Sequence, residues 1–102
     1  MSVDTFTLYV AVRADRPLDE ATLSPLVTAL GPGGDEHRVW LDGADRALVR
    51  VSVDSEAENL DAALQKAHLL AGRARALVSS GARVIEVSAM TDHDVMVWRA
   101  EP

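Results

Sequence analysis

Three histidines are the first candidates for chemistry, and their spacing gives them little to work with. His37, His68 and His93 form no H-x-H, H-x-x-x-H or H-E-x-x-H pair, the spacings that set two imidazoles on one side of a strand or helix around a metal. His93 stands between Asp92 and Asp94, a trio that could hold a cation but reads more simply as a solvated turn. His68 falls at the margin of a helical stripe, one turn past Leu64, where one ring nitrogen can stay in water. His37 follows Asp35 and Glu36 at the start of a strand, an acid–base neighbourhood that reads as an unpaired surface histidine.

Other reactive patterns are also missing. The chain has no cysteine, which excludes thiolate zinc sites, a disulfide framework and a cysteine nucleophile. Gly31-Pro32-Gly33-Gly34 resembles a phosphate loop only in its glycines. It follows a helix rather than a strand and lacks the Lys-Ser/Thr that would meet phosphate and metal, so it reads as a helix stop and loop. No G-x-S-x-G elbow occurs, and Ser79-Ser80-Gly81 reads as a helix end. Asp42, Asp45 and Asp54 lie at turns and strand ends, where Asp is favoured for its local hydrogen bonds. No catalytic residue, metal or cofactor is expected.

The 102 residues suffice for one domain, 1–102. Hydrophobic residues make up 48% and charged residues 25%, an ordinary globular composition. The net charge of -6 disfavours nucleic acid and anionic membrane. No basic, apolar leader is visible, and no segment approaches the roughly 18 continuous apolar residues of a membrane helix. A cytoplasmic location is therefore expected. Lys66 stands alone against nine arginines, a bias that reads as codon usage.

Periodicity then places the elements. Phe6–Val12 alternates with period two, with Phe6, Leu8, Val10 and Val12 inward and Thr7, Tyr9, Ala11 and Arg13 outward. Leu23, Leu26, Val27 and Leu30 lie on one helical face after a break at Asp15–Pro17, though Pro25 allows the helix to begin only near Ser24. His37–Leu41 and Ala47–Val53 alternate on either side of Asp42-Gly43-Ala44-Asp45, a hairpin signal. Ser55 and Glu58 fit a capping box for a second helix running from Leu60 to Val78, with Gly81 closing it. Arg83–Ala89 and Val95–Arg99 form two further strands around the turn Thr91–Asp94, the first with Ile85, Val87 and Ala89 inward.

That order gives an α+β fold. Its simplest solution is a ferredoxin-like βαββαβ antiparallel sheet with one appended C-terminal strand and both helices on one face. The other face is left open, and its composition is its most informative feature. Tyr9, Arg13, Arg38, Trp40, Leu48 and Arg50 point there, with Thr7, Ser52, Val84, Glu86, Ser88 and Met90, and Met96 and Trp98 join from the last strand. Aromatic, Met, Leu and Arg residues are the interface-enriched set. The expectation is a non-catalytic homodimeric binding or regulatory module that uses this face, with a small molecule or another protein as a further partner. The alternatives are a small cofactor-independent enzyme of oxygenase or isomerase type, and an acidic inhibitor or immunity-type protein that neutralises a basic partner. An RNA-reading sheet is disfavoured, since Ala47–Val53 lacks the aromatic-rich motif of that module and the chain is acidic.

Overall fold

The computed structural model describes residues 4–30, 37–79 and 81–100. Five strands form one antiparallel sheet: β1 (Asp4–Arg13), β2 (His37–Leu41), β3 (Leu48–Ala57), β4 (Arg83–Met90) and β5 (Val95–Arg99). The strand order is β2-β3-β1-β4-β5, so β1 runs through the middle and β5 is added outside β4. Among the described residues there are two α-helices, α1 (Ser24–Leu30) and α2 (Leu60–Val78). Among the described residues, no helix is long and apolar enough to cross a membrane.

The first helical segment resolves the conflict at Pro25. A 3-10 turn, Glu20–Leu23, precedes α1, and the Asp19 side chain caps it by accepting from the Thr22 N–H. Pro25 is then the second residue of α1, where its missing N–H costs no helical bond. The capping box expected at Ser55–Glu58 does not form. β3 runs on through Ala57, and Asn59 caps α2 instead, accepting from the Ala62 N–H at 2.8 Å. The segment Gly31–Gly34, read from sequence as a helix stop and loop, lies outside the described residues.

Both helices lie on one face of the sheet. Leu23 and Leu26 share a single core with the inward residues Phe6, Leu8, Val10, Val12, Val49, Val51 and Val87. α2 meets them through Ala63, Ala67, Ala71 and Ala74, all buried, before Val78. Small side chains let this helix lie close to the β-branched surface beneath it. Enlarging one of them has no vacant space to fill, so Ala67→Leu is expected to lower stability by about 1–3 kcal/mol, read as a reduced urea midpoint at unchanged slope.

One irregularity changes which residues face the core. In the β1–β4 ladder, Ala11 pairs with Glu86 but Val12 pairs with Val84, leaving Ile85 as the extra residue of a bulge. The step reverses the side assigned by simple alternation. Val84, expected on the open face, packs against the core, while Ile85 has no place in it.

Candidate functional site

The ladders align residues into rungs that cross the open face. One rung runs Trp40, Arg50, Ala11, Glu86, Arg99 from β2 to β5, and the next runs Arg38, Ser52, Tyr9, Ser88, Val97. Members of a rung point to the same side of the sheet because strand side chains alternate with period two.

Arg50 is the hub of this face. Its Nε donates to Asp42 Oδ1 at 3.0 Å, and Nη2 reaches the same oxygen at 3.0 Å. Its Nη1 donates to the Tyr9 hydroxyl, and the guanidinium lies 6.0 Å from the centre of the Tyr9 ring. The β2–β3 hairpin holds the acceptor in place, since Asp42 Oδ2 also accepts from the N–H groups of Ala44 and Asp45, each at 3.0 Å. Asp45 repeats the device one step away, taking the Ala47 N–H at 3.0 Å and forming an ion pair with Arg13. The same hairpin thus anchors two open-face arginines.

These bonds hold both carboxyls below the usual carboxylate range. The Ala44 N–H and then the Arg50 guanidinium lower Asp42. The Arg13 guanidinium and then the Ala47 N–H lower Asp45. A depressed folded-state pKa adds stability that is present above the unfolded value of about 3.9 and is lost as pH falls through the folded value. The urea midpoint is accordingly expected to be flat from about pH 8 to pH 5 and to fall below about pH 4. Asp42→Asn should flatten part of that fall; an unchanged acid limb would show that Asp42 carries none of it.

The structure sorts the expected interface residues into three groups. Tyr9 and Arg50 lie together, half-buried, on the inner strands of the open face; Arg13, also half-buried, stands at the end of β1, and Trp40 adjoins Arg50 on the edge strand, 39% exposed. Leu48 shares this face but is only 7% exposed, and Ala11 is 2% exposed. Both are small beside their rung neighbours, Arg13 for Leu48 and Arg50 and Glu86 for Ala11. Arg38 holds its register opposite Ser52, but its side chain and that of His37 lie outside the described residues.

Trp98 is a correction. It pairs with Val87, a core residue, and so belongs to the helix side of the sheet together with Met96, which pairs with Ala89. Its indole meets the His68 ring edge-on, 5.5 Å between centres at 69°. Parity in β5 instead puts Val95, Val97 and Arg99 on the open face, with Val95 60% and Val97 45% exposed. Arg99 Nε donates to Glu86 Oε1 at 2.8 Å. Tyr9 and His68 therefore stand on opposite sides of the sheet.

A separate cleft of about 780 Å³ opens at the end of the sheet where β1 begins, β3 ends and the β4–β5 turn folds over. Asp4, Asp54, Glu58, Asp92 and Asp94 line it with His93, over a floor that includes Phe6 and Leu60. Thr7 Oγ1 donates to Asp54 Oδ1 at 3.1 Å at its rim. These acids come from distant parts of the chain, and antiparallel pairing collects them at one end. Among the described residues, no three His, Asp or Glu side chains converge as a metal site.

No protein-family model matches the chain, and neither a curated protein nor a solved structure is significantly similar to it.

Proposed function

We propose that the chain is a cytoplasmic, non-catalytic binding module of ferredoxin-like topology that acts as a homodimer through its open sheet face. One observation carries this reading: the helices cover only one side of the sheet, and the other side presents Trp40, Val95 and Val97 to solvent around the Arg50–Tyr9 pair. Exposed aromatic and aliphatic side chains flanking a guanidinium are the composition of an interface centre rather than of a hydrated sheet face. The strand order supports the topology, with β1 and β3 inside the sheet and β2 at its edge. Light scattering at micromolar concentration is expected to give twice the chain mass. A single-chain mass throughout that range would remove the proposal.

A second reading draws on the cleft. Its five carboxylates, unaccompanied by lysine or arginine among the described residues, suit a cationic partner, as an acidic inhibitor-type protein would need. Calorimetric titration with a lysine-rich peptide at low salt tests it against Asp92→Asn/Asp94→Asn. Binding that the double variant retains in full would count against the cleft.

A further inference from the structure

We infer that two copies stack their open faces about a twofold axis running along β1, so that Arg50 of each copy lies against Glu86 of the other. This rests on the homodimer reading and supplies its geometry. Such an axis reverses every rung end to end. The rung Trp40, Arg50, Ala11, Glu86, Arg99 is complementary to its own reverse. Arg50 meets Glu86 of the second copy and Trp40 meets Arg99 of the second copy, while the small, buried Ala11 lies under the axis at the middle of the rung.

The charges already paired within each chain extend this pattern. Asp42 holds Arg50, and Glu86 holds Arg99. Stacking joins them into one alternating series: Asp42, Arg50, Glu86 of the second copy, Arg99 of the second copy, and the Trp40 indole as an acceptor for that cation. A guanidinium has five N–H donors and a carboxylate two oxygens, so each group can keep its internal partner and take another. On the neighbouring rung, Tyr9 approaches Tyr9 of the second copy across the axis.

Competing arrangements lose this complementarity. An axis running across the strands lays Arg50 on Arg50, Glu86 on Glu86 and Arg99 on Arg99, all like charges. Pairing of the two β5 edges leaves Trp40 in water on the far side of each sheet.

The test is photochemical. Val97 is exposed and can be replaced by p-benzoylphenylalanine, and one of two mixed samples is isotope-labelled so that products between copies are distinguished. Within a chain, β2 lies about 19 Å from β5, four strand spacings away, beyond the reach of the probe. The inference expects cross-links from position 97 to a peptide containing His37–Leu41 of the other copy. Cross-links to Val95–Arg99 of the other copy, or a dimer that yields no product between copies, would overturn this orientation and leave the homodimer standing. A single-chain mass in light scattering would overturn both. As a second readout, Glu86→Arg should weaken the dimer by about 100-fold, while Glu86→Gln should weaken it less. Equal effects of the two variants would count against contact with Arg50.

Discussion

Trp40→Ala is expected to raise the dimer dissociation constant by roughly 30- to 700-fold while leaving the fold of the single chain intact. The magnitude follows from truncating an aromatic anchor of the interface, about 2–4 kcal/mol, at about 1.4 kcal/mol per tenfold. The selectivity follows from position. Trp40 occupies the edge strand β2, points away from the core and is 39% exposed within its own chain. Trp40 is not part of the core cluster, so its removal leaves that cluster intact. Sedimentation equilibrium of the variant should show the shift to monomer at micromolar concentration, with circular dichroism of the wild-type form. A variant that unfolds would place Trp40 among the structural residues, and one that associates as tightly as the wild type would remove it from the interface.

Phe6→Ala should have the largest effect on stability. Phe6 is the chain's one phenylalanine, buried in the core on the inward side of β1 and also forming part of the cleft floor. Truncating a buried phenylalanine costs about 3–5 kcal/mol, the lost transfer energy together with the cavity left behind. Against the roughly 5–15 kcal/mol that holds a domain together, this leaves little margin. The urea midpoint should fall sharply, and the unfolding transition should lie close to physiological temperature. Tyr9→Phe is the matched control, because it removes only a hydroxyl on the opposite face and should cost about 1 kcal/mol. A loss below 1 kcal/mol for Phe6→Ala would mean that the cleft, rather than the core, owns this ring.

Most of the architecture was legible because both periodicities are strong in this chain. Phe6, Leu8, Val10 and Val12 alternate cleanly, as do Val49, Val51 and Val53, and all seven lie against the core or within it. The alanine stripe of α2 follows the helical period and is buried as that period demands. The departures have separate physical causes. Val-Met-Val-Trp in β5 is apolar at every position, so no alternation marks its inner side, and only the ladder with β4 assigns Trp98 to the helices. The bulge at Ile85 interrupts a run that looks regular in sequence and moves Val84 to the other side. Asn59 displaced Ser55 as the helix cap because strand pairing with β1 extends to Ala57, and ladder bonds there outlast the local capping signal.

The candidate site was legible in part for the same reasons. Tyr9, Arg13, Arg50 and Trp40 share the open face as alternation expects, with Arg50 beside Tyr9 and Trp40 and Arg13 at the end of β1. Their mutual bonds were not, since Asp42 and Asp45 read as ordinary turn residues while also anchoring Arg50 and Arg13. Leu48 and Ala11 looked exposed because alternation reports direction only; cover by longer neighbours depends on the rung. The acids of the cleft lie far apart along the chain. The strand order contained the cleft's signal, because an antiparallel sheet brings the start of β1, the end of β3 and the β4–β5 turn to one end.

The claim beneath all of this is that the open face is covered by a second copy, and Trp40 can report on it directly. Trp98→Phe leaves Trp40 as the sole tryptophan. Acrylamide quenching of that variant across a dilution series should show a shielded indole at high concentration that becomes accessible as the protein is diluted, in step with the loss of dimer mass. A Trp40 signal equally quenchable at every concentration would contradict the account.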